Sequence, residues 1–294
     1  MPEPRAAASI VPLRNGPDGL EVFLLRRHVD SSVLGGAYVF PGGKLDASDS
    51  ELDASVHLDR TADELHAALG EPQSDRSLGM GLFVAAIREA YEECGLLFAS
   101  HQDPTVVHGL TAQALTGQGV DAQARSFNQM LHALQLRLQT RSLVLWSRWV
   151  TPLAPMITHK RFDTRFFMAA APSGQTAGHD NKETTASVWL QPQEALKQYW
   201  DKQIDLAPPQ IMLLTELSRW GEVEVALREA TEMAPRLILP EPFQEGGERG
   251  MCFPGDPLHS VNQSAMPGPT RLYFHGANRR FEPRGGLEAL LTAH

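Results

Sequence analysis

Residues 81 to 94, GLFVAAIREAYEEC, constrain this chain more than any other stretch. Phe83, Ile87, Ala90 and Tyr91 recur at three- and four-residue spacing, the period of a helix with one buried side. Arg88, Glu89, Glu92 and Glu93 fall on the opposite side, and Gly95 supplies a natural helix stop. Glu89 and Glu93 are four residues apart and Glu89 and Glu92 three, so their Cβ atoms sit about 5–6 Å apart on one face. Like charges this close repel unless a cation sits among them. Hard oxygen ligands at that spacing suit Mg2+ or Mn2+, which keep waters that a phosphate can replace. Arg88 can orient a carboxylate through a paired hydrogen bond. Taken alone, such a cluster is more often a solvated helix face, so the surrounding sequence decides.

Residues 8 to 13 and 20 to 26 are apolar, β-prone runs split by Asn15-Gly16-Pro17-Asp18-Gly19, the pattern of a hairpin. Tyr38-Val39-Phe40 runs into Pro41-Gly42-Gly43, where the chain bends and its backbone can approach a ligand closely. Residues 50 to 80 turn polar and read as an insertion, with one or two helical turns from Thr61 to Leu69. Residues 99 to 140 read as a second, helical insertion, most regular from Phe127 to Leu138. Strands are expected at 144–150, 164–170 and 185–190, then helices at 192–200 and 208–219, the latter opening on Pro208-Pro209. Beyond about 231 the chain is rich in Pro and Gly, with strand candidates at 236–239 and 270–274. The expected organisation is a main domain over 1–230 and an extension, 231–294, wrapped on it. Strands and helices without regular βαβ alternation favour a mixed sheet with helices packed on it, an α/β sandwich.

Arg88-Glu89-Ala90-Tyr91-Glu92-Glu93-Cys94-Gly95-Leu96 resembles the second half of the Nudix box, R-E-U-x-E-E-x-G-U, and Pro41-Gly42-Gly43 resembles its opening. Two features depart from the pattern. The acid six residues after the box glycine is Asp49 rather than glutamate, and Arg88 follows it by 39 residues instead of eight. An insertion at this point is similar to that of the acyl-coenzyme A diphosphatase branch of the Nudix hydrolases. Further blocks resemble that branch: Phe40 to Asp46, Trp149-Val150-Thr151-Pro152, Arg161 to Thr164 with Phe166-Phe167, and Leu206-Ala207-Pro208-Pro209-Gln210. The resemblance covers about 10 to 220.

It implies an α/β/α sandwich carrying helical insertions and a C-terminal extension. It also implies a Mg2+ or Mn2+ site held by Glu89, Glu92, Glu93 and the Gly43 carbonyl, and hydrolysis of a diphosphate linkage. Coenzyme A or acyl-coenzyme A is the first substrate expected; ADP-ribose or NADH is the second, and a catalytically silent Nudix-fold module the third. Glu89 and Glu183, which lies in the loop before the strand expected at 185–190, are the two candidate bases. Asp49 either braces Arg88 or belongs to the insertion. Arg26 and Arg27, which end a strand, and Lys160 and Arg161, beside His159, are candidate grips for substrate phosphates; each also suits a solvated surface. His179 and Asp180 read as loop residues, and Trp146, Trp149 and Trp189 as core or pocket-wall aromatics.

A formal charge of −9 argues against a general nucleic-acid binder. Cys94 and Cys252 form no CxxC pair, which leaves thiolate zinc and a disulfide framework without support and points to a reducing compartment. No apolar run approaches the roughly 20 residues that span a bilayer. Met1 to Arg5 lacks a secretory pattern and Thr292-Ala293-His294 is not a peroxisomal address, so the cytoplasm is expected. The resemblance also allows a homodimer.

Overall fold

The computed structural model describes residues 3–31, 34–103, 126–152, 160–276 and 280–292. Its frame is a mixed sheet built around strand β1 (Arg5–Gly16), which runs parallel to β8 (Phe162–Ala170) on one edge. On its other edge β1 turns at Gly16–Gly19 into β2 (Gly19–Arg27) and stays paired with it as far as Leu13 and Val22. There the two strands part. β3 (Tyr38–Val39) lines the edge of β2 and β4 (Gly42–Lys44) lines the edge of β1, so the Phe40-Pro41 link crosses the split. β9 (Thr184–Leu190) covers the far edge of β2. β7 (Val144–Val150) runs antiparallel beside β8, and β10 (Arg236–Ile238) adds a parallel edge to β7.

Both faces of the sheet are buried because successive strand residues, which point to opposite sides, are apolar in either register. Ala8, Ile10, Phe23, Leu25 and Phe167 face one core with Phe83 and Ile87 of helix α3 (Arg76–Cys94) and Leu65 of α2 (Ala62–Leu69). Val11, Leu13, Val22, Leu24 and Met168 face the other, with Leu196 of α5 (Pro192–Trp200), Leu214 of α6 (Pro208–Leu217) and Ala226 of α7 (Val223–Glu232). Helices on both faces make the α/β/α sandwich expected from the resemblance.

The insertions differ from their expected form. Residues 54–57 form a short α1 and 62–69 form α2, but α3 starts at Arg76, capped by the Asp75 side chain on the Ser77 N–H. Gly79 weakens the helical signal there, yet it is what lets α3 close on α2: a Cβ at Gly79 would lie 2.8 Å from the His66 Cα. The stretch expected to be helical through Leu138 ends as α4 (Phe127–Ala133); Leu136–Leu138 instead forms β6, paired with β5 (Ala99–His101). Gln135 takes a positive φ of 50°, which breaks the helix. Residues 104–125 of that expected insertion lie outside the described residues.

The chain after β10 folds into an antiparallel sheet of β11 (Glu241–Glu245), β12 (Glu248–Cys252), β13 (Arg271–His275) and β14 (Arg280–Glu282), followed by α8 (Glu288–Leu291). Met251, Phe253, Leu272, Phe281 and Leu290 join the same core as Trp149, Leu196 and Ile211. Among the described residues no helix is long and apolar enough to cross a membrane.

Candidate active site

The glycine bend and the acidic helix meet at the split between β1 and β2. Ile10 and Ser9 fix the bend from β1: the Ile10 N–H and the Ser9 hydroxyl both donate to the Pro41 carbonyl at 2.9 Å. Gly42 then packs so close to β1 that a Cβ would lie 2.6 Å from the Ala8 carbonyl oxygen, and Gly43 packs against the Glu89 carboxylate, 2.2 Å from such a Cβ. The Gly42 N–H donates to Glu93 Oε2 at 2.9 Å. Thus the 38 residues between Asp49 and Arg88 do not separate the two halves in space.

Arg88 organises the acids. Its Nε and Nη2 donate to the two Asp49 oxygens at 2.8 and 3.0 Å, a bidentate pair. Nη1 donates to Glu89 at 2.8 Å and Glu92 at 2.9 Å, and Nη2 also reaches the Lys44 carbonyl at 3.1 Å. Asp49, on the 3-10 turn Ala47–Ser50, is fully buried and also accepts the Asp46 N–H at 2.8 Å. It braces Arg88. Burial alone would disfavour the Arg88 charge; Asp49, Glu89 and Glu92 more than offset it and hold the guanidinium above its ordinary value.

Burial pushes the Glu89 carboxyl up to about 7 against the pull of Arg88, and pushes Glu93 up to about 8 against its Gly42 hydrogen bond. Neighbouring acids add to both: Glu92 and Asp49 act on Glu89, while Glu89 and Glu183 act on Glu93. Glu92 is half-exposed at the rim.

Two further residues sit within electrostatic reach of Glu93: Arg27, whose charge favours the carboxylate, and Glu183, whose charge opposes it. Arg27 ends β2, just past a register shift between Arg26 and Arg27, and its Nε is buried with no hydrogen-bond partner among the described residues. Glu183 is exposed in the loop before β9, where its carbonyl accepts the His28 N–H at 2.9 Å. Asp180 holds that loop by accepting the N–H groups of Lys182, Glu183 and Thr184, the part of a loop staple.

The other cations lie elsewhere. Arg26 pairs with Tyr38, which packs into the opposite core. Lys160 and Arg161 precede β8, across β1 from β4, and Arg161 Nε donates to the Thr151 carbonyl at 2.9 Å. His159 lies outside the described residues. Ser9 escaped the sequence reading; its only signal is a hydroxyl inside the apolar run of β1.

The chain is 28% identical over 238 residues to the acyl-coenzyme A diphosphatase NUDT19 of Xenopus laevis, covering 71% of this chain and 63% of that protein. It is 27% identical over 249 residues to the human protein of the same name, covering 74% and 66%. These matches span less than two thirds of the length of either relative. A crystal structure of a NUDIX hydrolase from Alicyclobacillus acidocaldarius superposes with a TM-score of 0.59 at 27% identity, covering 78% of this chain and 97% of that one. The family model described as NUDT19 Nudix domain matches residues 5–219, which hold the bend, the acidic helix and every strand of the main sheet except β10, and the chain belongs to that family.

Proposed function

We propose that this chain is a divalent-metal-dependent diphosphatase that cleaves coenzyme A or acyl-coenzyme A into a 3′,5′-bisphosphonucleotide and (acyl-)4′-phosphopantetheine. The observation that carries the chemistry is the contact of Glu89 and Glu93 with the Gly42-Gly43 bend, under the control of Arg88. The substrate rests on the relatives named acyl-coenzyme A diphosphatase.

The donor set fits a hard divalent cation. Among the described residues no three acidic, His or Cys side chains already converge as a metal-binding group. Arg88 holds Glu89 and Glu92, and Glu93 turns to Gly42. Yet Glu89 and Glu93 are both raised by burial, Glu89 adds to the rise of Glu93, and both lie against a glycine backbone free of side chains, which is a place where positive charge is favourable. Glu89, Glu92 and Glu93, with the Gly43 carbonyl, would hold Mg2+ or Mn2+. When bound, such an ion neutralises phosphate charge and acidifies water.

The chain's own residues do the rest. Arg88 orients two carboxylates and Asp49 fixes Arg88. Arg27 is the cation placed to meet a phosphate beside Glu93. Glu89, beside Arg88 and the Gly43 backbone, and Glu183, in the loop before β9, are the candidate bases. We further infer a main domain over 1–230, a cytoplasmic location supported by two buried free thiols, and no nucleic-acid partner, given the charge of −9.

The test is incubation of the full chain with coenzyme A, ADP-ribose and NADH and with Mg2+ or Mn2+, with products identified by mass. Preferential release of phosphopantetheine supports the reading; preference for ADP-ribose moves the substrate, and no turnover favours a silent binding module. Glu92→Gln and Glu93→Gln are expected to lower kcat about 100-fold or more, the loss seen when a charge-stabilising group is removed, with far-UV circular dichroism unchanged. Near-wild-type rates in both variants sink the metal assignment. In Glu89→Gln and Glu183→Gln, the base is the residue whose loss flattens the acidic limb of the pH–rate profile.

A further inference from the structure

A continuous path of contacts joins the C-terminal sheet to the glycine bend. It starts at Arg280 on β14, whose side chain is 4% exposed. Its guanidinium donates to Asp205 Oδ1 at 2.7 Å, to the Ile204 carbonyl at 3.3 Å and to the Tyr199 carbonyl. It also lies over the Tyr199 ring, 3.8 Å from the centroid. The Tyr199 hydroxyl in turn donates to the Phe281 carbonyl at 2.8 Å and accepts the Phe281 N–H at 3.0 Å. The end of α5 and the loop after it are therefore clasped by β14.

That loop supports β3. The Asp205 carbonyl accepts the Tyr38 N–H at 2.8 Å, and Leu206 bridges Tyr38 in parallel. β3 is only two residues long; β2 covers one of its edges, and the 205–206 segment meets Tyr38 on the other. Four residues after Tyr38, Gly42 donates to Glu93.

We propose that Arg280 is a positioning residue for the diphosphatase site: by clasping the 199–205 loop it fixes β3, and with it the place of Gly42 and Gly43 against Glu93 and Glu89. The proposal rests on the function argued above for its kinetic consequence, and on contacts alone for its structural one. The Asp205 carboxylate is 68% exposed, so the ion pair is a minor part of the clasp. The buried bonds to two carbonyls and the ring contact supply most of it; the Tyr199 carbonyl also accepts the Lys202 N–H at 3.0 Å. Arg280 pairs with Asp205 and Glu282 and with none of Asp49, Glu89, Glu92 or Glu93. A shift of the bend by about 1 Å costs on the order of 100-fold in rate when reacting groups lose alignment, while substrate contacts made elsewhere persist. The effect therefore falls on kcat and not on KM.

The experiment uses the full chain and compares Arg280→Ala, Arg280→Lys and Tyr199→Phe with wild type. Hydrogen exchange is followed in peptides covering 38–44 and 82–87, and kcat and KM are measured with coenzyme A and Mg2+. In Arg280→Ala, exchange in 38–44 is expected to rise about tenfold or more while 82–87 stays protected. The kcat falls about tenfold or more with KM within about twofold, and Arg280→Lys recovers part of both. Tyr199→Phe keeps the ring but loses both Phe281 bonds, and serves the same comparison if Arg280→Ala does not fold. Unchanged protection over 38–44, or equal loosening in both peptides, overturns the proposal. If wild type turns over no diphosphate, the functional reading falls, and exchange over 38–44 still decides whether Arg280 braces the bend.

Discussion

Glu89 and Glu93 make stability depend on pH in an uncommon direction. Both carboxyls are raised by burial, to about 7 and about 8, from an ordinary 4.5. Between those limits the folded chain binds protons that the unfolded chain has released, so stability is fully present below the unfolded value and is lost as pH rises through the folded ones. Carboxylates held below their ordinary value, such as Asp180 and Asp256, finish titrating at more acidic pH and give no opposing slope there. With a chelator present, the melting temperature is expected to fall from about pH 5 to about pH 8. Mg2+ or Mn2+ should restore it at pH 8 by compensating the two ionised acids. A melting temperature that is flat or rising over this range in chelator would refute the buried placement of these carboxyls. Much of this residue-level arrangement was legible beforehand, because i,i+3 and i,i+4 spacing dictates a shared helix face. The partner of Arg88 was not. Asp49 is one methylene shorter than the glutamate of the Nudix pattern, and only the 3-10 turn that carries its backbone toward α3 shows that it reaches.

At the scale of elements, the first insertion is tied to the sheet by charge. Glu71, in the link between α2 and α3, accepts from Arg165 Nε and Nη2 at 3.0 and 2.6 Å and from Arg148 Nη1 at 3.0 Å. Asp163 pairs with the same two arginines. Arg165 is 1% exposed, so it cannot turn to water if a partner is lost. Glu71→Ala is expected to destabilise the chain by about 3 kcal/mol, the low end for a broken buried pair because Asp163 remains; urea unfolding measures it. A loss below about 0.5 kcal/mol would mean that the network is no more than a surface arrangement. None of this was readable in residues 50–80, where polar composition signals an insertion but not what it grips. The strands and helices of the main domain were readable, since their apolar periods of two and about 3.6 come from the sheet and helix faces themselves. The α7 helix shows the boundary of that method. Val223, Ala226 and Ala230 keep helical spacing, but two of the three are alanines and give a faint signal.

The whole molecule is closed by its last fifth, which composition alone made look like an extension wrapped on the main domain. Ile238, Met251, Phe253, Leu272, Phe281 and Leu290 are buried in one core with the α5 and α6 helices and the sheet. Phe253 meets Trp149 edge-on at 5.9 Å between ring centroids. The short, twisted strands of this region carry Pro and Gly at their turns, so their apolar residues never build a long periodic run. Each such side chain contributes about 1.5 kcal/mol or more by burial. Six of them together reach the scale of a domain's net stability, roughly 5–15 kcal/mol. Cutting the chain after residue 235 therefore removes a wall of the core. Such a trim would change KM alone if the tail merely covered the pocket. The expected product is instead one without a cooperative thermal transition or near-ultraviolet circular dichroism, prone to aggregate through the exposed Trp149 face. A truncated chain that melts cooperatively within a few degrees of wild type would show that the sandwich is complete without its extension. In that case the clasp of Arg280 on the Tyr199–Asp205 loop would also be dispensable for stability, and any loss of kcat in the truncated chain could be assigned to the bend itself.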